Sequence, residues 1–168
     1  MKILNKILDG SKHKDKMKKI KITFLVLIAV IFSSCLTSGL EELPTFSDAE
    51  IINVKFEYRW SVKEGTSDKL RVKMLTTSYV VNTESNEVTC EITVPNADES
   101  FTSEIRQGVT LNNIIGYTTI STAAKITPLD NSPVLGKPGD WTTPNTYKVT
   151  AANGDSKTWT IKVTAFNK

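Results

Sequence analysis

From Ile52 to Trp60 every second residue is apolar (Ile52, Val54, Phe56, Tyr58, Trp60), with Asn53, Lys55, Glu57 and Arg59 between them. A period of two sends successive side chains to opposite faces, so the stretch predicts a half-buried β-strand. Gly65-Thr66-Ser67-Asp68 interrupts it, and Leu70, Val72 and Met74 then alternate with Arg71 and Lys73 as a second strand. The polar cluster Asn82 to Asn86 predicts a turn. Val88 to Val94 alternates again and stops at Pro95, which cannot donate to a ladder. The region 96–140 is less regular. Residues 109–120 suit a strand or an irregular strand pair, 123–128 a short strand, and 129–140 a long loop with Pro133, Gly136, Pro138 and Gly139. Nothing beyond residue 35 reads as a convincing helix.

The C-terminal region is the clearest. Tyr147, Val149 and Ala151 alternate with polar residues, as do Trp159, Ile161, Val163 and Ala165, and Asn153-Gly154 between them is a hairpin signal. Parity selects the loop. A two-residue Asn153-Gly154 turn would pair 152 with 155 and turn one apolar set to water. A loop of Ala152, Asn153 and Gly154 pairs 151 with 155, sets Tyr147 opposite Trp159, and puts Gly154 where a left-handed residue is required. Short strands separated by polar turns predict an all-β fold, an antiparallel Ig-like β-sandwich over residues 50–168. There is no Cys…Trp…Cys frame, so the likeness to Ig domains is architectural only.

The N-terminal third of the chain follows a different logic. Met17-Lys18-Lys19-Ile20-Lys21 precedes an unbroken apolar block from Phe24 to Phe32, then Ser33, Ser34 and Cys35. A basic region, a short apolar block and small residues are the order of a secretory signal. The block is too short to span a bilayer, which takes ~20 apolar residues. Residues 1–16 fit poorly into such a signal, and translation is expected to start at Met17. Ile31-Phe32-Ser33-Ser34-Cys35 resembles the lipobox of bacterial lipoproteins, with Phe32 where Leu is commoner. The resemblance implies a leader over residues 1–34 and acylation of Cys35. Several acyl chains on one residue hold a membrane firmly, at ~0.8 kcal/mol per buried CH₂. Residues 35–49 then form the lipidated cysteine and a polar tether. Glu41 and Glu42 resemble a surface-export signal of Bacteroidota lipoproteins, and read equally as a solvated acidic linker. The expected location is the cell outer membrane, lipid-anchored, on its surface or its periplasmic face.

Charge and composition narrow the chemistry. Residues 1–34 hold eight lysines and two aspartates, so they carry +6 of a chain whose net charge is +3, and residues 35–168 carry −3. No basic stripe with interleaved aromatics remains, which argues against a nucleic-acid partner. The sole histidine is His13, so residues 35–168 have none. That removes Ser-His-Asp and Cys-His catalysis, histidine acid–base chemistry and histidine metal ligands. The remaining enzyme option is a carboxylate pair, such as Asp98 or Glu99 with Glu104, or Asp130 with Asp140. Each lies in a polar loop where a solvated charge is the default, and the expectation is no enzyme, no metal and no cofactor. Cys90 alternates with Val88, Ile92 and Val94 and is expected in the core.

The stretch Ala123 to Pro128, then Asp140-Trp141-Thr142-Thr143-Pro144, Tyr147-Lys148-Val149-Thr150-Ala151 and Trp159-Thr160-Ile161-Lys162-Val163, is similar to a family of domains of unknown function in Bacteroidota cell-surface lipoproteins. The start, Gly39-Leu40-Glu41-Glu42-Leu43-Pro44 with Phe56-Glu57-Tyr58-Arg59-Trp60, is similar to the same group. The resemblance implies an Ig-like sandwich in the envelope, often in glycan-utilisation settings, and no assigned activity. The function expected is a lipid-anchored binding or adhesion module with a glycan or envelope-protein partner; the alternative is an accessory lipoprotein with a protein partner and no small-ligand site. Trp141 with Asp140, after the Pro/Gly-rich loop, is the candidate ligand-binding pair, since an aromatic ring on a loop can stack on a sugar. The competing reading places Trp141 over the end of the core.

Overall fold

The computed structural model describes residues 45–168. Met17, the leader and the Cys35 acylation site lie outside the described residues. Eight strands and one short helix follow in the order β1 (Ile51–Glu64), β2 (Ser67–Asn82), β3 (Glu87–Thr93), α1 (Ser103–Gln107), β4 (Ile114–Ile120), β5 (Lys125–Pro128), β6 (Pro138–Gly139), β7 (Asn145–Thr150) and β8 (Ser156–Asn167). The chain is all-β in character, as the alternating pattern predicts.

The strands form one curled sheet in the order β5-β7-β8-β3-β2-β1-β4-β6. The sheet is mixed, which corrects the expectation of a wholly antiparallel one: β3 and β8 run parallel, with Val88 beside Ile161 and Cys90 beside Val163. Alternation reports which face a residue occupies and carries no strand direction. The 62 residues between β3 and β8 leave ample length for the crossover that a parallel pair needs. The curl brings both ends of the sheet around one core. Val54 and Phe56 of β1, Val88 and Ile92 of β3, Tyr147 and Val149 of β7, and Trp159 and Ile161 of β8 enter a single buried cluster. The loop after β5 ties the ends together. Leu129 donates to Thr146 O at 2.9 Å, the Tyr147 hydroxyl donates to Pro133 O at 2.8 Å, and Gly136 donates to Gly116 O at 3.0 Å.

The C-terminal hairpin has the register that turn parity requires. Tyr147 stands opposite Trp159, Ala151 N donates to Asp155 O at 2.8 Å, and Gly154 adopts φ +96. Three expectations are corrected. In β1, Ile51 is buried and Ile52 exposed, because a bulge between Ile51 and Asn53 inserts one residue opposite β4 and flips the face. The 123–128 strand begins only at Lys125, since Ala123 adopts φ +61 in a turn. The irregular region contains a helix. Thr102 caps it, Glu104 lies in its first turn and Arg106 in its last, and Gly108 ends it.

The largest departure lies in β2. Leu70, Val72 and Met74 are 61 %, 48 % and 50 % exposed. Glu64 stands opposite Ser67, so the β1–β2 turn has two residues, Gly65 (φ +66) and Thr66. Phe56 pairs with Leu75, Tyr58 with Lys73 and Trp60 with Arg71. The even-numbered aromatic positions of β1 therefore share a face with odd-numbered residues of β2. The apolar set Leu70, Val72 and Met74 must fall on the other face, with Glu57, Arg59 and Ser61.

Cys90 is buried in the core, and burial pushes its thiol up to about 12. A thiolate is the reactive form, so at pH 8 the native protein is expected to resist a thiol reagent at Cys90. In guanidinium the same cysteine should react within minutes, and labelling of native protein at the unfolded rate would contradict this placement.

Candidate functional site

The two residues expected to form a ligand site, Asp140 and Trp141, lie in different environments. Trp141 is 1 % exposed. Its ring meets Phe56 edge-on at 4.9 Å between centroids and stacks near Tyr147 at 6.3 Å. Its benzenoid edge lies over Gly116, where a β-carbon would stand 2.3 Å from Cζ2. The expectation of an exposed stacking platform is corrected: the ring fills the space that Gly116 leaves in β4 and offers no face to solvent. Asp140 is exposed, and its carboxylate accepts from Thr142 N at 2.9 Å and Thr142 Oγ1 at 2.6 Å. Those bonds hold the Asp140 carboxyl below the usual range and shape the approach to β7.

A shallow notch of about 230 Å³ lies near Asp140, lined by Asp130, Asn131, Ser132, Thr143, Asn145 and Thr146. No aromatic side chain borders it. Its polar atoms are largely engaged: Ser132 Oγ accepts from Thr146 N at 2.8 Å, Asp130 accepts from Thr146 Oγ1 at 3.2 Å, and Asn145 Nδ2 donates to Asp140 O at 3.1 Å. Three of the carboxylates considered for acid–base pairs, Asp98, Asp130 and Asp140, are engaged as well. Asp98 sits 2.5 Å from Lys73 Nζ and accepts from the Ser100 and Phe101 amides, which together hold its carboxyl far below the usual range. Among the described residues no group of three or more His, Cys, Asp or Glu could hold a metal ion.

The other aromatic positions are also engaged. Trp60 stacks on Tyr58 at 6.1 Å and tilts against buried Phe101 at 5.5 Å, on the inner face of β1. Tyr117 lies on the outer face, where its hydroxyl donates to Glu57 Oε1 at 2.6 Å. Arg59 Nε donates to the same oxygen at 2.5 Å, a second guanidinium nitrogen bonds the Tyr117 hydroxyl, and the guanidinium lies 5.9 Å from the ring centre. Partial burial, then the bond to Glu57, raises the Tyr117 phenol.

These observations locate the most distinctive surface elsewhere, on the β1–β2 ribbon. β4 accompanies β1 only from Ile51 to Glu57, and β3 accompanies β2 only from Thr76 to Asn82. Residues 58–64 and 67–73 therefore pair only with each other among the described residues, and Met74 and Leu75 only with Glu57 and Phe56. The outer face of this ribbon carries the exposed Leu70, Val72 and Met74 beside the Arg59–Glu57–Tyr117 network, since Val72 stands opposite Arg59 and Met74 opposite Glu57. Leu, Met, Tyr and Arg on one exposed face are a composition suited to a protein contact.

The chain matches the family described as DUF5018-related over residues 51–162. The chain belongs to that family. It is also similar to a crystal structure from Bacteroides fragilis described as a "putative secreted protein", with 37% identity and a TM-score of 0.69, covering 74% of this chain and all of that one. No curated protein matches. The matched segment of this DUF5018-related chain includes the whole ribbon, Trp141 and Gly116.

Proposed function

We propose that this DUF5018-related protein is a lipid-anchored binding module of the cell envelope that holds a protein partner through its β1–β2 ribbon. The observation that carries the reading is the stripe Leu70, Val72 and Met74, three apolar residues each about half-exposed at successive positions of one strand face. The anchor rests on the Ile31-Phe32-Ser33-Ser34-Cys35 motif. An extracytoplasmic setting is supported by that motif and by the description of the Bacteroides fragilis neighbour, and the outer-membrane location rests on the motif alone. Among the described residues no helix is long and apolar enough to cross a membrane. We read the curled sheet as an Ig-like sandwich in which β2 passes from one layer to the other between Leu75 and Thr76, where its partner changes from β1 to β3. A protein partner is favoured over a glycan because Trp141, Trp60 and Tyr117 each have their rings engaged within the domain.

Two measurements test this in a Bacteroides host. Radiolabelled palmitate should enter the wild type and not Cys35→Ser, which should leave the membrane fraction. A photoreactive residue at Ser61, opposite Leu70, should give one discrete protein adduct in intact cells, whereas the same residue at Lys148 on β7 should give none. Equal adducts from both positions, or none from Ser61, would remove the ribbon from the proposal.

A further inference from the structure

We propose that the free edge of β2 over residues 67–75 takes up an extended segment of the partner as an added strand, and that this segment alternates apolar and acidic residues. The inference rests on the reading of the ribbon as the docking element and specifies how it docks.

The edge comes first. β2 over this range pairs only with β1 among the described residues, and no other backbone bond reaches it. Every second residue there points its N–H and C=O away from β1, and such a row is a template for another strand. Exposure agrees: Ser67 to Val72 are exposed at every position, on both faces. A strand covered on one face would alternate.

The side chains then select the occupant. Lys69, Arg71 and Lys73 project from one face of β2, and Leu70, Val72 and Met74 from the other. Residues directly opposite on neighbouring strands share a face, so an added strand is sorted the same way. Its apolar residues extend the Leu70–Val72–Met74 stripe, and its carboxylates lie beside the three cations. Glu64 bridges Lys69 and Arg71, and Asp98 bridges Lys73. Two carboxylates against three cations leave that face basic. The open edge of β1 is sorted as well, but its side chains are already engaged: Tyr58, Trp60 and Val62 are half-buried, with Trp60 against Phe101, and Arg59 is held by Glu57.

A second copy of this chain does not fit. Pairing β2 with itself sets either cations opposite cations or cations opposite Leu70, Val72 and Met74, whichever register is chosen. Like charges directly opposite are destabilising. The sorted edge therefore rejects its own copy and accepts an acidic, alternating strand.

The test uses the full chain in detergent and a fluorescent, end-capped ten-residue peptide of alternating Glu and Val, followed by anisotropy. Saturable binding is expected. A Lys–Val peptide, and the Glu–Val peptide methylated at alternate amide nitrogens, should each bind at least tenfold more weakly. Lys69→Glu with Arg71→Glu should reverse the preference toward the Lys–Val peptide. Lys69→Gln with Arg71→Gln should weaken Glu–Val binding at least threefold, and this milder pair serves if the reversal does not fold. Equal binding of the methylated peptide would reduce the contact to charge alone and overturn strand addition. No binding of the Glu–Val peptide would leave the basic residues as a guard against edge pairing, and would overturn the proposal too. If the peptide results are negative while the Ser61 adduct persists, the inference fails and the ribbon remains the docking element. If the adduct is also absent, both fail.

Discussion

Trp141→Ala is expected to cost this domain about 3–5 kcal/mol of folding stability, the range for deleting a buried aromatic side chain. Domains of this kind have only about 5–15 kcal/mol in total, so the variant should lie near the unfolding threshold at growth temperature. At roughly 3–5 °C per kcal/mol for a domain of this size, the midpoint should fall by about 10–20 °C. The expectation follows from geometry. The indole lies between Phe56 of β1 and Tyr147 of β7, two strands near opposite ends of the sheet order, so its loss opens the closure of the curl. Gly116→Val attacks the same contact from the other side, because even a first β-carbon would stand 2.3 Å from the ring. Overpacking of this sort costs about 1–3 kcal/mol, and more where the obstacle is rigid. Trp141→Phe should be much milder, since the indole N–H has no hydrogen-bond partner among the described residues. Thermal melts followed by circular dichroism would rank the three, and a midpoint within 2 °C of wild type for Trp141→Ala would refute the core assignment. If the ranking holds, loss of ligand binding in Trp141→Ala cannot by itself identify a binding site.

Turn parity explains both what could be read from the sequence and what could not. At Ala152-Asn153-Gly154 it gives the Tyr147–Trp159 pair directly. Applied to Gly65-Thr66, the same rule exposes Leu70, Val72 and Met74, but only once the turn is known to have two residues; Gly65 to Asp68 admit other lengths. The helix at 103–107 had a cap, flanking charges and a terminal glycine in the sequence, yet five residues are too few to show a hydrophobic period. The parallel β3–β8 pair left no signal, because alternation has no direction. Trp141 illustrates the harder limit. Beside Pro- and Gly-rich residues it looks like a loop aromatic, and its burial depends on Gly116, 25 positions earlier in the chain. Only the folded arrangement brings the missing side chain of one to the large side chain of the other.

Replacing the stripe with Leu70→Thr, Val72→Thr and Met74→Thr should have the opposite profile to Trp141→Ala. Threonine keeps the strand preference of these positions, and substitutions at exposed sites usually stay within about 0.5 kcal/mol each. The melting midpoint should therefore move by a few degrees at most, in either direction. Binding should respond far more. Covering an exposed aliphatic side chain contributes roughly 1.5–3 kcal/mol, and truncation at the centre of an interface commonly costs more than 1 kcal/mol per residue. Three such losses come to about 4 kcal/mol, or nearly a thousandfold in affinity at 1.4 kcal/mol per tenfold. The adduct formed from Ser61 in intact cells should fall to background. Val134→Thr, at an equally exposed valine outside the ribbon, should leave the adduct intact. An adduct that survives the triple replacement would mean that the partner does not cover the stripe. A large drop in melting midpoint would mean that the stripe is packed within the domain. A binding loss without a stability loss is the result that separates a surface kept apolar for a partner from one kept apolar for the fold, and Leu70, Val72 and Met74 are the residues at which this protein makes that distinction measurable.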